Sequence, residues 1–187
     1  MNTGYSNSNQ DLTGALPAGL GDLGPAMGWL NLEGSAQGSG ISGELPTGLG
    51  ALTGLTRLFL QRNSITAVPT DIGALTGLIA LDLGDNDITA LPTEMGALTS
   101  MQYLLLEGNA LSSLPTEIGA LTGLVNLDLE ENQLTGFPAE LQTWDMSNIC
   151  RVDNQLTGFS CANVGAGTAC CTASNCPNGG TSTCYTG

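Results

Sequence analysis

With 187 residues there is room for one domain, and a composition that is 41% hydrophobic but only 4% aromatic leaves aliphatic side chains to supply the core. Seventeen Asp and Glu stand against three arginines, Arg57, Arg62 and Arg151, with no Lys and no His, for a net charge of −14. A surface so charged repels phosphate backbones and anionic lipid, which disfavours nucleic-acid partners and electrostatic membrane docking, and the missing imidazole removes the commonest catalytic base and metal ligand. There is no run of 18 apolar residues, so no transmembrane segment is expected, and MNTGYSNSNQ has neither the basic start nor the apolar run of a signal peptide.

In chain order, residues 1–11 read as a polar lead-in and 12–51 as degenerate N-terminal repeats. QDLTGALPAGLGDL supplies Leu12, Leu16, Pro17 and Leu20 as the back half of a unit whose strand is missing or hidden in the lead-in. Terminal repeats are commonly atypical because one face meets water. The next unit begins near Leu23 and reaches a strand at Leu30 and Leu32. EGSAQGSG (33–40) then stretches the turn into a rim loop before ISGELPTGLGAL, with Ile41, Leu45, Pro46 and Leu49.

Residues 52–143 contain one phrase four times at a spacing of 23: LTGLTRLFLQRNSITAVPTDIGA from Leu52, LTGLIALDLGDNDITALPTEMGA from Leu75, LTSMQYLLLEGNALSSLPTEIGA from Leu98 and LTGLVNLDLEENQLTGFPAELQT from Leu121. Alternation in Leu58/Leu60, Leu81/Leu83, Leu104/Leu106 and Leu127/Leu129 predicts one short strand per copy with leucines on one side. A 23-residue unit cannot bury those leucines alone, so successive copies must stack strand beside strand in a parallel ladder. Asn63, Asn86, Asn109 and Asn132 sit where the chain leaves the strand, and a buried Asn there pairs backbone groups that would otherwise stay unsatisfied. Pro69, Pro92, Pro115 and Pro138 hold the return segment extended. Gly73, Gly96 and Gly119 are expected to end a short helical turn on the outer side.

After Thr143 the periodicity decays. WDMSNICRVDNQLTGF suggests a degenerate last repeat over 144–160, and 161–187 is different in kind. All six cysteines, Cys150, Cys161, Cys170, Cys171, Cys176 and Cys184, fall in the last 38 residues. An even number in a Gly-, Ser- and Thr-rich stretch reads as a disulfide-stapled cap, with fifteen pairings open, and implies a secreted or oxidising lumenal setting. The rival, a Cys-only zinc site, lacks a C-x-x-C pair. N-x-[ST] sequons are also missing, so glycans are not expected to cover a face.

The L-x-x-L-x-L-x-x-N-x-[IL] run in each copy resembles that of leucine-rich-repeat proteins, and residues 12–160 as a whole resemble the extracellular type. LTGALP (12–17) and ISGELP (41–46) resemble plant-type repeats, and the 23-residue copies resemble a shorter class found in algae, plants and bacteria. The resemblance implies an α/β solenoid with a parallel β-sheet on the concave face, short helical or 3-10 turns on the convex face, and a role in binding other macromolecules. No kinase and no membrane span accompany it here, unlike the receptor pattern.

Strand residues that do not point inward face the concave side: a central column Phe59, Asp82, Leu105, Asp128, flanked by Arg57, Ala80, Tyr103, Asn126 and by Gln61, Gly84, Glu107, Glu130. These positions vary while the framework repeats. The candidate ligand-binding residues are therefore Arg57, Phe59, Arg62, Asp82, Asp85, Tyr103, Leu105, Glu107, Asn126, Asp128 and Glu130. Arg57 and Arg62 are expected in the first regular strand, with carboxylates gathered over the next three. A solvated acidic face, a basic protein partner, and Ca²⁺ held by adjacent carboxylates are the readings in descending order. A second acidic row, Asp71, Glu94, Glu117 and Glu140, is expected to belong to the framework.

Asp82 with Asp128 has the residue types of glycosidase chemistry. A shallow face without His or a G-x-S-x-G motif argues against catalysis, and no cofactor or metal is expected. Thr66, Thr89, Ser112, Thr135 and Thr53, Thr76, Thr122 raise an ice-binding surface as a lesser alternative. The sequence therefore predicts a non-enzymatic module offering an acidic concave surface to a protein or carbohydrate ligand, or an accessory subunit of a larger extracellular or lumenal assembly.

Overall fold

A computed structural model describes residues 3–6, 12–35 and 40–143. The expected last repeat, the Cys-rich segment and the middle of the rim loop (36–39) lie outside the described residues. The strands run β1 (Thr3–Ser6), β2 (Met27–Asn31), β3 (Ser42–Glu44), β4 (Arg57–Phe59), β5 (Ser64–Ala67), β6 (Ala80–Asp82), β7 (Tyr103–Leu105) and β8 (Asn126–Asp128). One parallel sheet has the order β1-β2-β4-β6-β7-β8, and a second parallel pair joins β3 to β5. The main sheet lines the concave side of an α/β solenoid.

Register follows the leucine pattern. Leu30, Leu58, Leu81, Leu104 and Leu127 are successive partners across the sheet, all at most 2% exposed. β1, inside the polar lead-in, pairs with β2 and supplies the first coil's strand, the hidden one of the two alternatives for that unit. Its four residues, Thr3, Gly4, Tyr5 and Ser6, include no aliphatic side chain, so alternation gave no signal there.

Behind the sheet, each coil crosses the core through a second aliphatic series, Ile65, Ile88, Leu111 and Leu134, all 0% exposed. β3 and β5 pair at this crossing. Later coils keep the same stacking through Asp87 N–H to Ile65 O (2.9 Å), Ala110 N–H to Ile88 O (2.9 Å) and Gln133 N–H to Leu111 O (2.9 Å).

The convex side is a stack of 3-10 turns, among them Thr47–Ala51, Thr70–Ala74, Thr93–Ala97 and Thr116–Ala120. Pro46, Pro69, Pro92 and Pro115 precede them in extended geometry. Each proline carbonyl accepts the first turn bond, at 3.0–3.1 Å from Leu49, Ile72, Met95 and Ile118. Proline suits that place because its missing N–H is not needed there. Gly73, Gly96 and Gly119 fall inside these turns and do not end them. A Cβ on Gly73 would lie 2.8 Å from Glu94 Cβ, so the glycine is required by the close approach of the next coil.

The asparagines join the coils. Asn86, 2% exposed, donates through Nδ2 to the carbonyls of Leu60 (3.0 Å), Leu83 (3.0 Å) and Gly84 (3.1 Å), and its Oδ1 accepts from Ile65 N–H (3.0 Å). Asn63 repeats the arrangement one coil earlier, and Asn109 and Asn132 one and two coils later. The amide therefore satisfies its own bend and the preceding coil together.

Asn86→Leu keeps the volume but strands Ile65 N–H in an apolar interior and removes one of the two amide donors to Leu60 C=O, which keeps Asn63 Nδ2. At ~1–3 kcal/mol per unsatisfied buried group, the expected loss is about 1–3 kcal/mol, read as a lower urea midpoint. Thr89→Ala on the exposed surface should change stability by less than about 0.5 kcal/mol.

Candidate binding face on the concave sheet

Because the strands are parallel and in register, side chains that avoid the core are sorted into straight columns. One contains Trp29, Arg57, Ala80, Tyr103 and Asn126, and the next contains Asn31, Phe59, Asp82, Leu105 and Asp128. A third column, past the strand ends, holds Gln61, Gly84, Glu107 and Glu130, aligned by Arg62 N–H to Gly84 O (2.9 Å), Asp85 N–H to Glu107 O (2.8 Å) and Gly108 N–H to Glu130 O (2.9 Å). All eleven sequence-nominated residues lie on these columns or on the turn that follows.

That turn is where Arg62 belongs; β4 ends at Phe59, so the placement of Arg62 in the strand is corrected. Arg62, Asp85, Gly108 and Glu131 occupy equivalent positions with φ of 60°, 53°, 63° and 53°, the left-handed conformation needed to leave the strand. Arg62 Nη1 meets Glu33 Oε1 at 3.3 Å, and its Nε lies 3.9 Å from Asp85 Oδ2. Both contacts are open to solvent and contribute little to stability.

The apolar part of the face is larger than expected from Phe59, Tyr103 and Leu105. Trp29 joins it, because the rim loop makes β2 lead β4 by 28 residues rather than 23. Alternation outward from Leu30 was the signal that could have found it. Tyr103 is 43% exposed, whereas Phe59 and Leu105 are half-buried.

The carboxylates are not uniformly solvated. Asp128 is 8% exposed, and its Oδ1 accepts from Glu130 N–H at 3.1 Å. Asp82 is half-buried, and its Oδ1 accepts from Gly84 N–H at 3.0 Å. Burial is the main reason the Asp82 carboxyl is pushed up to about 6; the Gly84 N–H opposes the change, and Glu33 and Asp85 add to it. The Glu107 carboxyl is pushed up to about 7, again chiefly by burial, with Asp82, Asp128 and Asp85 adding like charge. Among the described residues no three acidic side chains converge on a point that would hold a metal ion, so the Ca²⁺ reading finds no geometry here.

Elsewhere the rows behave as framework. Glu94 and Glu117 sit in the first turn of their 3-10 segments and accept from the hydroxyls of Thr93 (3.2 Å) and Thr116 (3.1 Å). A shallow groove of about 370 Å³ lies between these turns, lined by Thr93, Glu94, Gly96, Ala97, Glu117 and Ala120. Thr66, Thr89, Ser112 and Thr135 are all exposed, and Thr99 completes the row Thr53, Thr76 and Thr122, a member the repeat reading left out.

Residues 53–111 match the family model described as leucine rich repeat. The chain is a leucine-rich-repeat protein. The LRR ectodomain of the plant membrane receptor kinase GASSHO1/SCHENGEN3 from Arabidopsis thaliana, solved in complex with CASPARIAN STRIP INTEGRITY FACTOR 2, is similar at 36% identity and a TM-score of 0.74, over 86% of this chain and 19% of that one. A plant ice-binding protein is similar at 30% identity and a TM-score of 0.65, over 82% and 48%. A leucine-rich-repeat protein of Leptospira interrogans is similar at 28% identity and a TM-score of 0.62, over 84% and 48%. The chain thus spans between a fifth and a half of the length of these structures. No curated protein sequence matches it. No helix among the described residues of this leucine-rich-repeat protein is long and apolar enough to cross a membrane.

The raised Glu107 value has a defined sign. The folded state holds that proton more tightly than the unfolded chain, so its contribution to stability is full below the ordinary 4.5 and is lost as pH rises through about 7. Glu107→Gln should therefore raise the urea midpoint relative to wild type at pH 8 and leave the two alike near pH 4.

Proposed function

We propose that this chain is a non-enzymatic interaction module of an extracellular or oxidising lumenal setting, and that it takes a basic protein segment on its acidic concave sheet. The observation that supports this is the pairing register Asp82, Leu105, Asp128 beside the exposed Tyr103: an apolar strip edged by carboxylates, with no side chain of the framework needing those identities. Half-buried carboxylates favour a cationic group that replaces lost water, and an exposed aromatic beside them can carry contact energy. The Arabidopsis ectodomain solved with a bound factor makes a macromolecular ligand the natural class, and the same face would serve a permanent partner in a larger assembly.

Binding of arginine-rich peptides to the immobilised protein tests this. Asp82→Asn with Asp128→Asn should weaken binding by about 10-fold or more and flatten its salt dependence, and Tyr103→Ala should cost about 10-fold. Glu94→Gln with Glu117→Gln removes the same charge from the convex side and should leave binding within about 2-fold. The reverse pattern would refute the concave-face reading.

A second reading is favoured by one observation, the likeness to a plant ice-binding protein together with exposed hydroxyl rows at one residue per coil. Rows on neighbouring coils of a parallel ladder repeat at ~4.8 Å, a regularity suited to a lattice. Thermal hysteresis of the purified protein, abolished by Thr76→Lys with Thr99→Lys, is its expected signature; a freezing point equal to the melting point removes it.

A further inference from the structure

Gly84 separates two side chains that each carry one buried oxygen without a hydrogen-bond partner. The hydrogen bonds from Arg62 N–H to Gly84 O and from Asp85 N–H to Glu107 O put Gln61, Gly84 and Glu107 at equivalent positions on three successive coils. A Cβ on Gly84 would coincide with the Glu107 carboxyl, so that carboxyl lies over the glycine, in space a side chain would fill. Gln61 Oε1 and Glu107 Oε2 are buried, and neither has a hydrogen-bond partner among the described residues.

Two buried acceptors without partners, one on the coil before Gly84 and one on the coil after it, are unfavourable, because an amide oxygen and an ionised carboxylate can only accept. A single proton on Glu107 changes the balance, turning one acceptor into a donor and satisfying both oxygens with one bond. With coils ~4.8 Å apart, the backbones of Gln61 and Glu107 are ~10 Å apart, a distance their two long side chains span over Gly84. The surroundings also favour the neutral form: Asp82 and Asp85 from the preceding coil and Asp128 and Glu130 from the next are acidic, and Arg62 is turned to Glu33 and Asp85.

We propose that Glu107 is a proton-operated gate of the concave face: protonated, it lies over Gly84 and donates its O–H to the Gln61 amide oxygen, and on losing that proton to solvent it leaves this seat and joins Asp82 and Asp128 in facing a cationic group of the ligand. The gate's role in binding rests on the concave-face reading above; the position of the proton does not. It follows that a basic ligand expels one proton as it binds and is released on acidification.

Carbon-detected NMR titration of the carboxyl groups tests the proton directly. Glu107 should titrate near 7 with the Gln61 side-chain amide shifting at the same midpoint, and Gly84→Ala, tolerated because no left-handed φ is required there, should return Glu107 towards the ordinary 4.5. Titration of Glu107 in the ordinary range, or a Gln61 amide that does not follow it, overturns the gate; an ionised Glu107 receiving the Gln61 NH₂ group would give that result. For the ligand arm, affinity for an arginine-rich peptide should rise between pH 5.5 and 8, with up to about 30-fold of the rise disappearing in Glu107→Gln, the limit set by one proton excluded from the complex. A rise that Glu107→Gln leaves intact overturns the gate's role in binding. A peptide that binds at neither pH overturns the concave-face reading, while the NMR titration still decides the proton.

Discussion

Each coil buries its leucines only against the coils before and after it, and everything else in this molecule follows from that dependence. Leu58, Leu81, Leu104 and Leu127 form one interior column, while the Asn63, Asn86, Asn109 and Asn132 amides hydrogen-bond across the coil boundary. The apolar column supplies attraction without direction. The amide ladder supplies register, because a slip by one residue would leave its donors and the neighbouring carbonyls unpaired inside the core. On the convex side the same stacking is close enough that only glycine fits at Gly73 against Glu94.

Fixed register has an electrostatic consequence. Side chains one repeat apart are forced to be neighbours whatever their charge, so a chain of net charge −14 with three arginines must place like charges side by side. The concave sheet meets this by partial burial: Asp82 and Asp128 take backbone N–H bonds, and Glu107 folds over Gly84. Burial and like charge both raise the cost of ionisation, which is why Asp82 and Glu107 titrate far above ordinary carboxylates.

The convex face shows the contrasting solution. Glu94 and Glu117 occupy the first turns of separate 3-10 segments, each taking a hydroxyl hydrogen bond from the preceding threonine. Identical residues recur there because the local turn asks for them. The concave columns vary: Asp82 and Asp128 each accept a backbone N–H, yet Phe59 and Leu105 hold equivalent positions in the same column, so the fold does not dictate one residue there. This separation between dictated and free positions is the physical basis for placing recognition on the sheet.

The amino-acid order alone determined the coil: spacing of leucines at 23 residues specified which side chains lie inside, which asparagines turn the chain and which columns face out, because burial of one face leaves a period-two strand no other choice. Strand β1 was left open by that reading, as hidden or missing, since Thr3–Ser6 carries no aliphatic alternation; its pairing with β2 decided it. Trp29 escaped the reading because the rim loop breaks the constant spacing, and the flanking β3–β5 pair because Ser42–Glu44 carries no apolar residue to mark a strand. Only the tertiary structure decided how each carboxylate is solvated. Burial of Asp128 and the seat of Glu107 over Gly84 depend on what the neighbouring coil lacks as much as on what it carries, and a gap left by an absent side chain has no period in a sequence.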